Sequence, residues 1–131
     1  MGSREVIQGS TEDARTVLIV DDERHITAAL GRSLRGEGYR ILLAHGRDEA
    51  VAHLRREPVD AVLSDASMPD LEGVTFLAEI ERWCPRAARI LVTAWPERIS
   101  SARLRSAGIV AVIPKPWDLG ELRGVLRAAC R

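Results

Sequence analysis

Short apolar runs alternate with helix-like patterns along most of the chain. Five runs are rich in Val, Ile, Leu and Ala, and they lie at residues 17–20, 39–44, 60–64, 89–93 and 109–113. After each run, apolar residues recur at helical spacing, which is typical of a helix with one buried face. The pattern predicts five successive strand–helix units, with glycine or proline near most of the boundaries.

Four of the five predicted helices have a well-defined apolar face. Their apolar positions are Ile26, Leu30 and Leu34; Val51 and Leu54; Leu77, Ile80 and Cys84; and Leu119, Leu122 and Leu126. The segment that begins at Pro96 differs, because Arg98, Arg103 and Arg105 interrupt its apolar positions. We therefore expect that helix to be marginal without a partner.

The five strands are apolar along nearly their whole length instead of alternating between apolar and polar residues. This composition is typical of strands buried on both faces, as in a parallel sheet covered by helices on both sides. The sequence therefore predicts a doubly wound α/β domain. In such domains, ligands bind beyond the carboxyl ends of the strands, where the winding direction reverses.

Polar side chains of the kinds used in catalysis and metal binding follow four of the five strands. Asp21 and Asp22 follow the first strand, Asp65 follows the third, Thr93 ends the fourth, and Lys115 lies two residues beyond the fifth. Each has a simpler explanation when taken alone: a helix cap, a turn, a β-forming residue or an exposed lysine. Unrelated causes would not place all of them at one edge of a sheet. Their convergence predicts a functional site.

The charges of this set indicate its chemistry. Three clustered carboxylates raise each other's pKa unless a cation lies among them. Oxygen ligands without His or Cys suit Mg²⁺, which also binds phosphate oxygens. A carboxylate in this position can attack phosphorus, and a lysine and a hydroxyl donor can stabilise the transferred group. The set therefore favours phosphoryl transfer to an aspartate.

The overall charge balance excludes one class of function and draws attention to one residue. The chain has 131 residues, with 19 Lys and Arg against 19 Asp and Glu. This balance disfavours direct nucleic-acid binding, which needs a basic surface. Lys115 is the only lysine among the basic residues. Codon bias explains the arginines, whereas a phosphoryl oxygen at this position favours a compact ammonium over the wide guanidinium of arginine.

The remaining reactive side chains indicate no metal or disulfide framework. His25, His45 and His53 lack the spacing of metal ligands, so we interpret them as structural or surface residues. Cys84 and Cys130 have no zinc-site spacing and are expected to be reduced thiols of a cytoplasmic protein.

The amino-terminal residues are polar. We expect residues 1–15 to form a flexible tail, and they lack the apolar segment of a signal peptide. No run of the chain has the length of a membrane span, so a membrane location is not expected.

Four separated motifs carry a family resemblance. They are Val20-Asp21-Asp22-Glu23, the segment from Asp65 to Gly73 with Met68-Pro69 inside it, Val92-Thr93-Ala94, and Lys115-Pro116. Together they resemble the signature set of response-regulator receiver domains of two-component signalling. The resemblance implies one receiver domain over residues 16–131, with a CheY-like (flavodoxin-like) five-stranded sheet in the order 2-1-3-4-5.

The resemblance also implies a role for each site residue. Asp65 would be the phosphoacceptor, and Asp21, Asp22, Asp65 and the backbone carbonyl of Ser67 would bind Mg²⁺. Thr93 and Lys115 would contact the phosphoryl group, beside a small Ala94 and a cis Lys115–Pro116 peptide. The donor would be a histidine kinase or a phosphotransfer protein, and a partner or an attached output domain would read the conformational change. Such a domain promotes only its own phosphorylation and dephosphorylation and is not a conventional enzyme.

The chain departs from the family pattern beside the site. Val112 stands three residues before the lysine, where the family usually has an aromatic switch residue. Trp95, two residues after Thr93, is expected either to shield the acyl phosphate from water or to be a core or interface residue. For Trp117, contact with the last helix and an interface both stay open.

The last two helices carry a cluster of arginines, which are Arg98, Arg103, Arg105, Arg123 and Arg127. A solvated face is the usual meaning, but the family uses this region and the fifth strand for homodimer and effector contacts. Two other functions stay as alternatives. A haloacid-dehalogenase-like phosphatase uses similar groups, but its carboxylates follow a D-x-D spacing and we expect no cap domain here. A phosphorylation-independent adaptor is favoured only by Val112.

Overall fold

The computed structural model describes residues 14–130. The predicted tail, residues 1–15, thus lies almost entirely outside the described residues. Ten main elements alternate along the chain: β1 (Thr16–Val20), α1 (Arg24–Arg35), β2 (Arg40–Ala44), α2 (Arg47–Arg56), β3 (Ala61–Asp65), α3 (Gly73–Glu79), β4 (Ala88–Thr93), α4 (Ser101–Ser106), β5 (Ile109–Pro114) and α5 (Leu119–Ala129). This alternation confirms the predicted strand–helix units.

The five strands form one parallel sheet in the order β2-β1-β3-β4-β5. This order is the expected 2-1-3-4-5, and it places β1 and β3 beside each other at the centre. Every residue of β1 is buried, which accounts for the absence of polar alternation in that run. The doubly wound fold predicted from the sequence is therefore confirmed.

Helices cover the sheet on both faces, and successive residues of β1 contribute to the two cores. Leu18 and Val20 pack with residues of α2 and α3, such as Leu54 and Leu77. The alternate β1 positions face the other core, where they meet residues of α1 and α5; its members include Val17, Ile19, Leu30, Leu34, Leu122 and Leu126. The loops after the strands therefore follow elements that are packed on both faces of the sheet.

The fourth helix is the weakest element, and its predicted start was wrong. Pro96–Arg98 forms only a 3₁₀ turn, and α4 begins at Ser101 after a cap in which Ser100 Oγ accepts a hydrogen bond from Arg103 N at 3.1 Å. No residue from Ala94 to Ser106 is buried. The arginines that weakened the sequence pattern thus mark a segment whose contact with the core is made by half-buried residues, Ile99 and Leu104.

A second difference concerns the helix after β3. The predicted pattern ran to Cys84, but α3 ends at Glu79 and a 3₁₀ turn, Ile80–Arg82, continues it. Between β3 and α3, the pairs Ser67–Met68 and Leu71–Glu72 form a short antiparallel ladder. No helix of residues 14–130 is long and apolar enough to cross a membrane.

Candidate functional site

Three carboxylates meet at the carboxyl edge of the sheet, as the sequence predicted. Asp21 and Asp22 follow β1, and Asp65 is the last residue of β3. One oxygen of each carboxylate lies within 4.8 Å of the others. Asp21 is only 2% exposed, whereas Asp22 is exposed to solvent. The cluster therefore has a buried side and an open side.

Lys115 lies between two of these carboxylates. Its Nζ donates hydrogen bonds to Asp21 Oδ2 and to Asp65 Oδ1, both at 2.8 Å. Its backbone N donates to the carbonyl of Thr93 at 2.9 Å, which attaches the end of β5 to the end of β4. The following Lys115–Pro116 peptide is cis, as the resemblance implied. The only lysine of the chain is thus an internal counterion.

Thr93 completes the set from the end of β4. It is 5% exposed, and its Oγ1 accepts a hydrogen bond from Trp95 N at 3.1 Å. Because the backbone N–H occupies the oxygen as an acceptor, the hydroxyl hydrogen remains available for donation. The hydroxyl is therefore suited to bind an anionic oxygen in front of it.

One open cleft of about 490 Å³ connects these groups. Its lining consists of Asp22, Glu23, Asp65, Ala66, Ser67, Thr93, Ala94, Trp95 and Lys115. Asp21 lies behind the cleft wall, where its Oδ1 accepts a hydrogen bond from Glu23 N at 2.9 Å. The structure thus brings together every residue that the sequence proposed for the site. Ser67 is one of the residues that line the cleft, and the metal contact of its carbonyl stays a prediction.

Burial and charge change the acid–base properties of this set. Burial raises the pKa of Asp65; the hydrogen bond from Lys115 opposes that rise, and the charge of Asp21 adds to it. Burial alone would lower the pKa of Lys115, but its hydrogen bonds to Asp21 and Asp65 outweigh that effect and raise it. Asp65 is therefore a more basic carboxylate than usual beside an ammonium that stays charged.

The donor set fits a divalent cation. Three carboxylates and one ammonium leave a formal charge of two negative units, which one divalent cation neutralises. Ligands on opposite sides of a Mg²⁺ ion stand about 4 Å apart, because each bond is 2.0–2.1 Å long. The carboxylate oxygens lie within 4.8 Å of one another, so only a small closing movement brings all three to one ion. The oxygens are hard ligands, which Mg²⁺ prefers over the nitrogen or sulfur ligands of zinc.

The loop after Asp65 is fixed by a close backbone approach. A Cβ at Gly73 would lie 2.2 Å from the carbonyl oxygen of Asp65, so only glycine fits there. Gly73 N donates to the carbonyl of Ala66 at 2.9 Å. The glycine at the end of the second motif is therefore required by packing against the candidate phosphoacceptor.

The sequence analysis did not identify Glu72 as a structural residue of this loop. Its Oε1 accepts hydrogen bonds from Thr75 N at 2.9 Å and from Thr75 Oγ1 at 2.6 Å, so it caps α3. Arg103 on α4 also binds this oxygen at 2.7 Å. Burial would raise the pKa of Glu72, but the hydrogen bonds from Thr75 and Arg103 lower it overall. An acidic residue before a helix was the available signal for the cap.

The residues that depart from the family pattern occupy different environments. Val112 is half-buried and packs against the core beneath α3. Trp95 is 54% exposed at the rim of the cleft, with the guanidinium of Arg98 4.7 Å from its ring centroid, so the core alternative for Trp95 was wrong. Trp117 is half-buried against the core beside α5.

The histidines and cysteines occupy places outside the cluster. His53 Nε2 lies 2.9 Å from the carbonyl oxygen of Leu43, and His45 Nε2 lies 3.0 Å from Thr27 Oγ1. The third histidine, His25, lies exposed on α1. Both cysteines are unpaired thiols.

Comparisons with known proteins agree with this geometry. The family model of the response regulator receiver domain matches residues 17–127. The hydrogenase transcriptional regulatory protein HoxA of Cupriavidus necator is 42% identical over 116 residues, which are 87% of this chain and 24% of that protein. The transcriptional regulatory protein ZraR of Salmonella typhimurium is 31% identical over 113 residues, with 86% of this chain and 26% of that protein covered. The chain thus spans about a quarter of the length of these relatives.

Solved structures give the same result. The signal receiver domain of an HD domain-containing protein from Pseudomonas fluorescens has a TM-score of 0.82 at 33% identity, over 88% of this chain and 94% of that one. A CheY-like receiver domain protein from Methanospirillum hungatei has a TM-score of 0.80 at 29% identity, over 88% and 92%. The phosphatase alternative is not favoured, because the matching family is that of receiver domains.

Receiver domains typically bind Mg²⁺ at an acidic pocket and interact with histidine kinases and attached output domains. The chain has such a pocket in the cluster of Asp21, Asp22 and Asp65. The family match covers nearly all of the described residues, and the strand order is the one that the fold requires. The chain belongs to the response-regulator receiver domains of two-component signalling.

Proposed function

We propose that Asp65 accepts a phosphoryl group from a phosphohistidine of a histidine kinase or phosphotransfer protein. One observation carries this assignment. The ammonium of Lys115 bridges Asp21 and Asp65 at 2.8 Å in a cleft that also contains Thr93. A charged lysine held beside a carboxylate nucleophile is placed to bind the oxygens of an incoming phosphoryl group.

The transfer needs no proton from the acceptor. An ionised Asp65 oxygen attacks phosphorus, the new O–P bond forms as the N–P bond breaks, and the leaving imidazole nitrogen keeps the electron pair. Lys115 then exchanges its contact with the Asp65 carboxylate for one with a phosphoryl oxygen, and Thr93 donates its hydroxyl hydrogen to another. In hydrolysis, water attacks phosphorus, the O–P bond to Asp65 breaks, and inorganic phosphate leaves. In this proposal the domain promotes only its own phosphorylation and dephosphorylation.

Asp21, Asp22, Asp65 and the Ser67 carbonyl would hold Mg²⁺, which would supply positive charge to stabilise the phosphoryl oxygens. Without it, the carboxylates would repel an anionic donor. The chain contributes the counterion for the buried side of the cluster, because Lys115 binds Asp21 where solvent has little access. The exposed Asp22, which lines the cleft, has no such internal counterion among the described residues, so a bound cation would neutralise it.

Phosphorylation of the full chain with acetyl phosphate tests the proposal. We expect a Mg²⁺-dependent gain of one phosphoryl group by intact-protein mass spectrometry, which EDTA prevents. Asp65→Asn should abolish the gain, whereas Asp48→Asn, which changes an exposed carboxylate on α2, should retain it. No gain in the parent, or an equal gain in Asp65→Asn, would refute the assignment of Asp65.

The exposed surface around β5 is our candidate for binding the partner that recognises the phosphorylated state. Val110 is 64% exposed on this edge strand, beside a fourth helix without buried residues. We propose that this face forms the homodimer or binds the output domain in the cytoplasm. Two arginines of the predicted cluster are paired within the chain, Arg103 with Glu72 and Arg123 with Glu37, and Arg98 stacks on Trp95. Among residues 14–130, Arg105 and Arg127 make no ion pair, and we propose them for partner contacts.

A phosphorylation-independent adaptor is the second candidate, and Val112 favours it because it lacks an aromatic ring that could report movement of Thr93. Light scattering and partner binding with and without beryllofluoride distinguish the two functions. We expect beryllofluoride to change the oligomeric state or the affinity. Equal values in both states would favour the adaptor.

A further inference from the structure

The amino-terminal end of α2 is capped by a residue from a distant loop. The residue before the helix is Gly46, which has no side chain to accept a hydrogen bond. Instead, Arg47 N donates to Asp70 Oδ2 at 3.1 Å. Asp70 belongs to the acceptor loop, which we define as residues 66–72, between the candidate phosphoacceptor and α3. A helix cap thus connects α2 to the loop that contains Ser67.

The glycine at this junction is explained by the same contact. Gly46 has extended backbone angles, φ −178° and ψ 179°, which any residue can adopt. A Cβ at this position would lie 3.0 Å from Asp70 Oδ2 and 3.6 Å from its Cγ. Glycine at position 46 therefore leaves space for the Asp70 carboxylate, whereas its backbone angles do not require glycine.

The side chain of Arg47 holds the far end of the same segment. Its guanidinium donates to Glu79 Oε1 at 3.0 Å, at the last residue of α3. The guanidinium also lies 5.9 Å from the ring centroid of Trp83. The first residue of α2 thus contacts the chain both before and after α3, so the acceptor loop and α3 are held as one unit.

We propose that Asp70 is a positioning residue for the metal and phosphoacceptor site, an inference that rests on the proposed function. The acceptor loop is fixed at one end by Gly73 against Asp65, and Met68 and Leu71, which are 8% and 7% exposed, anchor the short antiparallel ladder on both sides of its turn. Asp70 is exposed and has no comparable apolar anchor, so its hydrogen bond to Arg47 N restrains the remaining turn. This restraint acts together with the ladder pairing of Ser67 and Glu72 to hold the backbone that carries the Ser67 carbonyl, which preorganises an oxygen ligand.

Mg²⁺ titration of the full chain by calorimetry tests this role. Loss of one capping hydrogen bond changes a folding equilibrium by about fivefold, and we take this as the upper limit of its effect on Mg²⁺ binding. We therefore expect Asp70→Ala to weaken Mg²⁺ binding by up to about fivefold and Asp70→Asn, which keeps an acceptor oxygen, to bind within twofold of the parent. Asp48→Ala is the matched control, because it removes an equally exposed carboxylate from the same helix turn without removing the cap.

Gly46→Ala provides an independent approach, because its methyl group would lie 3.0 Å from Asp70 Oδ2 and push the carboxylate away from Arg47 N. We expect it to weaken Mg²⁺ binding like Asp70→Ala, and the double variant to be no weaker than either single variant. Hydrogen exchange without metal should become faster at Arg47 N and in residues 66–72 of Asp70→Ala.

Several results would overturn the proposal. Equal Mg²⁺ affinities of Asp70→Ala and Asp48→Ala, unchanged exchange in the acceptor loop, or a full loss of affinity in Asp70→Asn would each do so. These outcomes leave the proposed function intact as long as the parent binds Mg²⁺. A parent that binds no Mg²⁺ would refute the proposed function and this role of Asp70 together.

Discussion

Replacing Lys115 with methionine removes the positive charge between Asp21 and Asp65 while keeping most of the side-chain volume. At 2.8 Å and an effective dielectric constant of about 20, each ion pair has a Coulomb attraction of about 6 kcal/mol. Desolvation of the buried groups offsets most of this attraction. Removing one partner of a buried pair costs about 3–5 kcal/mol, because the remaining charge is left uncompensated.

We expect a loss of about 3 kcal/mol, at the lower end of that range, because the Lys115 side chain is 15% exposed and Asp65 borders an open cleft. For a domain of this size, such a loss lowers Tm by about 12 °C. Urea and thermal unfolding in EDTA measure it. Mg²⁺ should restore part of the stability, since binding to the folded state adds about 1.4 kcal/mol for each tenfold excess over Kd.

Arg105→Met is the matched control. It removes an exposed positive charge from α4, and Arg105 makes no ion pair with any other residue in the 14–130 range. We expect this variant to unfold within about 0.5 kcal/mol of the parent. An equally small effect for Lys115→Met in EDTA would show that the ammonium does not compensate the buried carboxylates, and the electrostatic account of the site would be wrong.

Three further outcomes are expected. Because the pKa of Asp65 is raised in the fold, its ionisation costs stability as pH rises above the unfolded value of 3.8. Asp65→Asn should therefore unfold at higher urea than the parent at pH 7, with the gain shrinking toward pH 3; a constant gain would contradict this. We expect beryllofluoride to change the tryptophan fluorescence of the parent, and Lys115→Arg should retain phosphorylation but lose this change, because a planar guanidinium cannot replace a point charge between two carboxylates. Trp95→Ala should shorten the lifetime of the acyl phosphate severalfold by admitting water, and an unchanged rate of phosphate release would exclude shielding.

The order of elements and most of the site could be predicted because parallel sheets leave a direct trace in sequence. Strands buried on both faces appear as uninterrupted apolar runs, and the residues after them must share one edge. Asp21, Asp65 and Thr93 were found in this way. The start of α4 was predicted wrongly because proline at position 96 is compatible with either an α-helix or a 3₁₀ turn, and the arginines gave too little periodicity to distinguish them.

Contacts between distant loops left no such trace. Asp70 caps a helix that begins 23 residues earlier, and Glu72 binds an arginine 31 residues later. Neither partner stands at a helical or strand spacing, so local patterns contain no information about the pairing. The ion pair between Lys115 and Asp21 was not predicted either, because the resemblance implied a contact of Lys115 with the phosphoryl group.

The ion pair between Lys115 and Asp21 also has a consequence for protein synthesis. The two residues are 94 positions apart in the chain, and β3 and β4 lie between their strands in the sheet. While the chain is still emerging from the ribosome, the aspartates of β1 and β3 are present before their counterion. Lys115 can bind Asp21 and Asp65 only after β5 has joined the sheet. A partly synthesised domain therefore lacks the internal counterion of its carboxylates until the last strand joins the sheet.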